Sequence, residues 1–313
     1  MKRALIIGAG GFVGEYLVNC ILKQEKWDVF ATKMKMESWE QQIPCFDVDI
    51  LEKEQIVQVL NEVQPDYIFH LAAQSSVALS WKRATFTVDV NIKGCLNLLE
   101  AVRETKLNSR ILLIGSSEEY GKSLINEEGI TEIDTPQPTN VYAVTKLCQN
   151  LLGKVYAEAY KMEIVSVRAF NHIGPKQRDD FVISSFCKQV AEIEKGKKEP
   201  IISVGNLEAA RDFTDVRDVV QAYVELIKCG KSGETYNVGT GKAIKISEVL
   251  EYLLSLSEED IVVKTDPTKF RPIDVPSIQA DIRKLQECTG WQPNVSWKDT
   301  VKEMLEYWKN VIR

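Results

Sequence analysis

Histidine is scarce in this chain, and its cysteines show no metal-binding or disulfide pattern. Only two histidines occur among 313 residues, and no cluster of other ligand residues surrounds either. The seven cysteines are scattered, odd in number and form no C-x-x-C pair. Zinc sites and disulfide frameworks carry cysteines at characteristic spacings, so we expect no metal centre and free thiols in a reducing compartment.

Long apolar runs, internal repeats and low-complexity tracts are also missing. The apolar runs are far shorter than the roughly 20 residues of a membrane helix, and no targeting segment is recognisable. The net charge of −6 gives no electrostatic reason to expect nucleic acid or an anionic membrane as a partner. We therefore expect a cytoplasmic protein that binds neither.

Hydrophobic residues make up 44% of the chain, and the first half arranges them in short runs that alternate with amphipathic segments. Continuous short runs are typical of strands buried on both faces, and they begin at Ala4, Asp28, Tyr67, Arg110 and Ile164. Helical patterns cover 13–23, 53–63, 88–106 and 140–161. This alternation predicts an α/β fold, a Rossmann doubly wound parallel sheet.

The second half is more mixed. Helices are predicted at 181–194, 216–229, 248–256 with Ser247 as N-cap, and from 296 or 297 to 312, with a strand at 235–238. We expect these pieces to form a smaller mixed α/β C-terminal lobe over the carboxyl edge of the sheet. The expected dinucleotide-binding domain comprises 1–170 plus about 206–240, and the lobe comprises about 171–205 plus 241–313.

Gly8, Gly11 and Gly14 follow the first predicted strand at the spacing G-x-x-G-x-x-G. Gly8 permits a tight turn, Gly11 lets the backbone approach a pyrophosphate, and Gly14 lets the helix pack closely. The helix N-terminus, with Phe12 and Val13, supplies unpaired N–H groups and partial positive charge. A glycine-rich turn without a ligand is the alternative, but the position between strand and helix favours a dinucleotide.

The end of the second predicted strand bears on the choice of cofactor. NAD enzymes usually place an acid there for the ribose hydroxyls, whereas this chain has Thr32, Lys33 and then Lys35. Because a lysine could pair with a 2′-phosphate, we expect NADP(H), with NAD(H) as the alternative if both lysines are merely solvated. Asp49 and Ile50 follow the third strand and are expected near the adenine, although Asp49 could equally cap a helix.

Tyr142 and Lys146 form a Y-x-x-x-K pair at the start of a long predicted helix, which places both side chains on one face. A nearby ammonium favours a phenolate, so the tyrosine could exchange a proton while hydride moves to or from a nicotinamide. A pair of surface side chains without a catalytic role is the alternative.

The predicted strand before this helix ends in further polar residues. Ser116 or Ser117 is the candidate hydroxyl that would hydrogen-bond the substrate oxygen. Glu118 is either a second acid–base group or a solvated carboxylate.

Taken together, several motifs resemble the extended short-chain dehydrogenase/reductases that act on nucleotide sugars. They lie at 8–14, 70–74, 90–94, 116–121, 142–146 and 211–218. The resemblance covers essentially the whole chain and implies that Ser116 is the catalytic hydroxyl. It also implies a cofactor site that includes Leu71, Ala72, Ala73 and Phe170, beside Tyr142 and Lys146.

Narrower stretches at 171–177, 181–186, 204–208 and 270–276 resemble family members that reduce GDP-linked keto sugars. They imply NAD(P)H-dependent reduction of the C4 ketone of a GDP-4-dehydro-6-deoxy-D-mannose-type sugar, giving GDP-D-rhamnose. The alternatives are a GDP-mannose 4,6-dehydratase and another nucleotide-sugar epimerase or reductase. Glu118 corresponds to a dehydratase carboxylate, whereas Ser116 stands where a dehydratase typically has threonine.

The resemblance further implies a set of substrate-binding residues and a homodimer. The set is Ser75, Asn171, Val182, Asn206, Arg211, Arg271 and Asp274. Arg211 and Arg271 would bind the diphosphate of a GDP-linked sugar, since arginine pairs with phosphate in a bidentate manner, although each could be a surface ion pair. The dimer would pair the tyrosine-bearing helix and its predecessor, and Val141, Leu147, Leu151 and Val155 suit this pairing or plain core packing.

Overall fold

The structure, a computed structural model, describes residues 1–122 and 128–312. Its strands are β1 (Lys2–Ile7), β2 (Trp27–Lys33), β3 (Cys45–Asp47), β4 (Tyr67–His70), β5 (Arg110–Ser116), β6 (Glu163–Ala169), β7 (Asn171–Ile173), β8 (Ile201–Val204), β9 (Ala210–Asp215), β10 (Thr235–Val238), β11 (Ala243–Lys245), β12 (Val262–Thr265) and β13 (Ser277–Ile278). Its α-helices are α1 (Phe12–Gln24), α2 (Lys53–Val63), α3 (Val77–Lys82), α4 (Ala84–Val88), α5 (Gly94–Thr105), α6 (Val141–Tyr160), α7 (Val182–Glu194), α8 (Val216–Cys229), α9 (Ile246–Leu254), α10 (Arg283–Thr289) and α11 (Trp297–Val311).

Seven parallel strands form the larger sheet, in the order β10-β6-β5-β4-β1-β2-β3. The order reverses at β1, so the chain runs outward in both directions from the centre of the sheet. Loops at the carboxyl ends of β1 and β4 therefore open into one crevice, the usual ligand site of such sheets. The predicted α/β class with a doubly wound parallel sheet is confirmed.

Helices cover both faces of this sheet. In β1, Ala4 and Ile6 belong to one buried cluster, and Leu5 and Ile7 belong to the other. Since successive residues of a strand point to opposite faces, this continuous apolar run makes β1 the strand on which both layers pack. The helices α1 and α8 pack on one side, while α2, α5 and α6 pack on the other.

A smaller lobe follows the sheet and has a core of its own. Strands β7, β11 and β13 all pair with β9, while β8 pairs with β12. Its buried cluster includes Val190, Leu250 and Leu305, from α7, α9 and α11. The segment 206–240 contributes to both units, because β9 lies in the smaller sheet while β10 lies in the larger one. The division into domains stays a prediction.

Two local expectations from the sequence were wrong. Ser247 is not an N-cap, because α9 begins at Ile246 after Lys245. The helix expected at 88–106 is not one continuous α-helix, since a π-helical turn, Asp89–Lys93, joins α4 to α5. Within the described ranges, no helix is both long and apolar enough to cross a bilayer.

Candidate active site

The loop between β1 and α1 is shaped to approach a phosphate group closely. Gly8 adopts a φ of +84°, and a Cβ there would lie 2.6 Å from Cα of Ala72. At Gly14 a Cβ would lie 2.1 Å from the carbonyl oxygen of Ala9, so the helix packs directly beneath the loop. A Cβ on Gly11 would meet nothing closer than 3.7 Å. The loop is therefore tight on its protein side and open at the N-terminus of α1.

The first turn of α1 has backbone donors to offer a ligand. Gly11 is the N-cap and supplies no side-chain hydrogen bond, so the first N–H groups point into the crevice with the positive end of the helix. Phe12 and Val13 are half-buried, and the Phe12 ring stacks on His172 at 6.1 Å between centroids. These features fit the pyrophosphate of a dinucleotide, and the individual contacts stay predictions.

Thr32 and Lys33, at the end of β2, have partners within the protein. Thr32 is buried, and its Oγ1 accepts a hydrogen bond from the N–H of Gly8 at 3.1 Å, which ties β2 to the glycine loop. Lys33 Nζ donates to Asp47 Oδ1 at 2.6 Å. A contact of Lys33 with a 2′-phosphate stays a prediction, and it would require Lys33 to leave or share this carboxylate.

Glu37 brings a carboxylate to the glycine loop that the sequence did not lead us to expect. Its Oε2 accepts a hydrogen bond from the N–H of Met34 at 2.9 Å. A Cβ on Gly10 would lie 2.3 Å from the same oxygen. A carboxylate therefore lies in the loop that follows β2, next to the expected position of the adenosine ribose.

The remaining predicted cofactor residues surround the crevice from neighbouring strand ends. Asp49 Oδ1 accepts a hydrogen bond from the N–H of Leu51 at 2.9 Å, so it caps a turn before α2, and Ile50 is buried against Gly94. The half-buried Leu71, Ala72 and Ala73 follow β4, and the buried Phe170 follows β6. Their role towards a cofactor stays a prediction.

Ser116, Tyr142 and Lys146 come together below this crevice. Ser116 ends β5, whereas Tyr142 and Lys146 lie in the first two turns of α6, and all three side chains are buried. Asn140 caps α6, because its Oδ1 accepts a hydrogen bond from the N–H of Ala143 at 2.8 Å. This cap fixes the start of the helix and with it the position of the phenol.

Burial dominates the electrostatics of the tyrosine and the lysine. It raises the pKa of Tyr142, and the carboxylates of Glu118 and Glu119 raise it further, whereas a hydrogen bond with Ser116 lowers it. Burial lowers the pKa of Lys146 to about 8. The phenol is therefore protonated at neutral pH, a state suited to a proton donor.

Lys146 is held by groups other than the phenol. Its Nζ donates to the carbonyl oxygen of Ile114 at 2.7 Å and to Gln149 Oε1 at 3.2 Å. The amide of Gln149 also donates to Ile114 O, at 3.0 Å. We expected the ammonium to lower the pKa of Tyr142, but in this arrangement burial and the two carboxylates outweigh any such effect.

Glu118 links the sheet to the smaller lobe. Its Oε2 accepts a hydrogen bond from Asn140 Nδ2 at 2.8 Å, and its Oε1 accepts one from Arg271 Nη1 at 3.0 Å. The alternative reading of Glu118 as a solvated loop carboxylate is wrong, because its side chain is only 17% exposed and both oxygens are bonded.

Arg211, Asn206 and Asp274 form a second linked group beside it. Arg211 Nη2 donates to Asp274 Oδ1 at 2.8 Å, and Asn206 Nδ2 donates to Asp274 Oδ2 at 2.7 Å. Arg211 is buried, and its pKa is lowered first by burial and also by the charge of Arg271. The charge of Arg271 therefore acts on the buried guanidinium of Arg211.

The other predicted substrate residues are placed around this group. Asn171 begins β7, Val182 begins α7, and both are half-buried, whereas Ser75 is exposed in the loop after β4. A cavity of about 560 Å³ opens beside Asn140 and is lined by Trp81 and Ile273 among others. Contacts of these residues with a substrate stay predictions.

Four residues that the sequence reasoning missed contact the site. They are Glu37, Glu119, Asn140 and Gln149. Asn140 could have been found, because asparagine directly before a helical pattern is a recognised N-cap signal. The contact of Glu119 with Ser116 is a capping box, and Gln149 lies one turn after Lys146 on α6, so local spacing encodes both. Glu37 reaches Gly10 through a tertiary contact that no local spacing encodes.

Comparisons with known proteins agree with this arrangement. The sequence model of the family described as GDP-mannose 4,6 dehydratase matches residues 5–304. GDP-6-deoxy-D-mannose reductase of Pseudomonas aeruginosa is 30% identical over 100% of this chain and 99% of its own length. GDP-mannose 4,6-dehydratase of Yersinia enterocolitica is 28% identical over 97% of this chain and 93% of its own length.

A solved structure of RMD from Pseudomonas aeruginosa complexed with NADPH has the same fold. The TM-score is 0.87 at 30% identity, and the match covers 99% of this chain and 100% of that one. Both the family match and this likeness extend over the sheet and the smaller lobe. The chain therefore belongs to the GDP-mannose 4,6 dehydratase family, one of the extended short-chain dehydrogenase/reductase families.

Proposed function

We propose that this protein reduces the C4 ketone of a GDP-4-dehydro-6-deoxy-D-mannose-type sugar with NAD(P)H, giving GDP-D-rhamnose. The similarity to a GDP-6-deoxy-D-mannose reductase over both full lengths supports the proposal. The observation that carries it within the site is the buried phenol of Tyr142, which is hydrogen-bonded with Ser116. Because burial raises the pKa of this phenol, it holds a proton that it can give to the oxygen at C4.

The reductive direction also suits the protonation state of the site. A bound nicotinamide dinucleotide would supply the hydride. Tyr142, protonated because burial raises its pKa, would donate its proton to the oxygen at C4. Ser116 would hold that oxygen by a hydrogen bond, and Lys146 would stabilise the phenolate left behind.

The preference for NADP(H) rests on two supports. Lys35 is exposed near the expected ribose, and the similar RMD structure is complexed with NADPH. Two features oppose it, because Lys33 is bonded to Asp47 and the Glu37 carboxylate lies at Gly10. NADP(H) remains our proposal, with Glu37 as the residue that limits the preference and leaves NAD(H) as the alternative.

The arginines of the smaller lobe are the proposed diphosphate site. Arg211 and Arg271 are neutralised by Asp274 and Glu118, respectively. A diphosphate would have to take over these arginines, because a buried phosphate needs charge-assisted partners. Substrate binding would then release Glu118 from Arg271.

A GDP-mannose 4,6-dehydratase is the second candidate. It is favoured by one observation, the presence of a carboxylate at Glu118 beside Ser116 and Tyr142, which electrostatically influences the phenol. Such an enzyme would regenerate its cofactor in each cycle and would show no net change in NAD(P)H.

We also propose a homodimer. Val144, Leu151 and Val155 lie along one side of α6 and are 50%, 54% and 54% exposed. Phe86 and Val88 of the adjacent α4 are also partly exposed. A second copy that packs the same helices against this stripe would bury it by two-fold symmetry, which is the commonest arrangement of homo-oligomers. The expected Leu147 and Val141 are half-buried and contribute less.

Two parallel reactions test the proposed activity. One holds NADPH with GDP-4-dehydro-6-deoxy-mannose, and the other holds GDP-mannose with NADP⁺; absorbance at 340 nm and keto-sugar formation are measured. Oxidation of NADPH in the first alone supports the reductase, whereas keto sugar in the second alone supports the dehydratase.

The variant Tyr142→Phe tests the proton donor. It should lower kcat by a factor of about 10³, while the Kd for NADPH changes little. Normal turnover in that variant would refute the mechanism.

A further inference from the structure

A buried ion pair lies directly behind Ser116. Arg168 Nε donates to Glu119 Oε2 at 2.9 Å, and the two side chains are 6% and 0% exposed. Removing two charges from water is costly, and an apolar pair of similar volume often stabilises a protein as well or better. Stability alone therefore does not explain the pair.

The second oxygen of Glu119 is bonded to the serine that we place in the active site. Oε1 accepts a hydrogen bond from the N–H of Ser116 at 2.9 Å. Gly115 makes this possible, because a Cβ there would lie 2.4 Å from the same oxygen. The carboxylate thus folds back beneath the end of β5 and fixes the peptide that carries the serine.

Arg168 is itself held in place. Its Nη1 donates to the carbonyl oxygen of Glu132 at 3.3 Å, and its guanidinium lies 4.6 Å from the centre of the Tyr120 ring. In the sheet, Arg168 of β6 is paired with Gly115 of β5. The arginine therefore gives Glu119 one fixed position.

Burial raises the pKa of Glu119, whereas the charge of Arg168 and the hydrogen bond from the Ser116 N–H lower it. The charge that these two partners hold on the carboxylate also acts on the other two members of the site. It raises the pKa of Tyr142 and the pKa of Lys146. The ionisable groups that face them are Glu118 and Tyr223 of α8 towards the phenol, and Cys95 of α5 and His70 of β4 towards the ammonium. Burial lowers the pKa of His70 to about 3, so this imidazole is uncharged at neutral and alkaline pH.

We propose that Glu119 is a positioning residue, which holds Ser116 through its peptide N–H and is itself held by Arg168. The neighbouring glutamates then have separate roles, because Glu118 faces the smaller lobe and Glu119 faces the sheet. The inference rests on the proposed function only in naming the reaction that Ser116 serves. A small displacement of a group that holds the reacting oxygen lowers the rate on the order of 10- to 100-fold.

The test compares Glu119→Gln with wild type and with Glu163→Gln, which removes an equal charge at the far, exposed end of β6. Glu119→Gln should lower kcat about 10- to 100-fold with KM for the keto sugar within about twofold, while Glu163→Gln changes neither. In Glu119→Gln the alkaline limb of the pH–kcat profile should also move to lower pH, because the loss of the negative charge of Glu119 lowers the pKa of both Tyr142 and Lys146. An unchanged kcat and an unchanged limb would overturn the proposal.

A double variant, Glu119→Leu with Arg168→Leu, separates positioning from stability. Removing both buried charges should return the thermal midpoint towards that of wild type, yet kcat should stay low because Ser116 has lost its acceptor. Recovery of kcat together with the midpoint would make Glu119 purely structural and overturn the proposal. If wild type does not reduce the keto sugar, the proposed function fails, and the same kcat comparison is made for keto-sugar formation from GDP-mannose.

Discussion

Lys146 holds an ammonium group inside the protein, and its pKa falls because of burial from 10.5 to about 8. Between pH 8 and 10.5 the unfolded chain therefore binds more protons than the folded one, and the contribution of this group to stability rises with pH. Below pH 8 the buried ammonium lowers the free energy of unfolding by its full amount, roughly 3 kcal/mol for a pKa shift of this size. The lysine is thus retained at a cost in stability, as expected for a group that serves catalysis.

Replacing Lys146 should consequently stabilise the fold and abolish activity. We expect Lys146→Met to raise the thermal midpoint at pH 7 and to remove turnover, with the stabilisation fading as the pH approaches 10.5. Lys154→Met, at an exposed position of the same helix, is the matched control and should change neither. An unchanged or lower midpoint at pH 7 would show that the ammonium is better solvated than its burial indicates.

Glu37 should discriminate between the two dinucleotides. Its carboxylate at Gly10 would repel a 2′-phosphate but could accept hydrogen bonds from ribose hydroxyls. Glu37→Ser should therefore lower the Kd for NADPH relative to that for NADH about tenfold, a charge effect of roughly 1.4 kcal/mol. Fluorescence titration measures both constants, with Glu40→Gln on the same exposed loop as the control. An unchanged ratio would place Glu37 outside the ribose site.

The longer helices of both units and most strands of the larger sheet were predictable from local patterns, whereas the short strands of the smaller lobe were not. The apolar periods gave α2 and α8 with the observed bounds, because both helices bury one regular face. In the lobe, β13 has two residues and β7 and β11 have three each, all paired with the distant β9. Strands this short have no period to detect, and their pairing depends on contacts between remote segments.

The same distinction applies to the site. Tyr142 and Lys146 lie four residues apart on one helix, so their proximity follows from helical geometry. Glu37, in contrast, meets a glycine 27 positions earlier, and Glu119 meets Arg168 across two strands. Such contacts depend on sheet register and loop path, which one sequence does not reveal.

The exposed stripe on α6 gives a prediction at the scale of the element. Leu151→Glu combined with Val155→Glu should convert the proposed dimer into a monomer, because two buried carboxylates per subunit would face their symmetry mates. Light scattering after size exclusion measures the mass. Both positions are about half exposed in the single chain, so the fold should persist, and Lys23→Glu on α1 is the control. A monomeric wild type would refute the dimer.

Across the whole molecule, the two units meet through side chains that the proposed substrate needs. Glu118 comes from the sheet and Arg271 from the smaller lobe, and their ion pair is one direct polar link between the two at the site. Arg211 and Asp274 form the corresponding pair within the lobe. The site of the free protein is therefore internally neutralised, and a diphosphate must compete with carboxylates for both arginines.

This competition predicts opposite effects for the two partners of the Glu118–Arg271 pair. Glu118→Gln removes the competing charge and should tighten the binding of GDP, whereas Arg271→Gln removes a phosphate partner and should weaken it. Because Arg271 is 42% exposed, solvent weakens the pair, and the gain for Glu118→Gln should be only about two- to fivefold. Calorimetric titration with GDP measures both. If Glu118→Gln weakened binding as Arg271→Gln does, Glu118 would instead orient the arginine for the diphosphate.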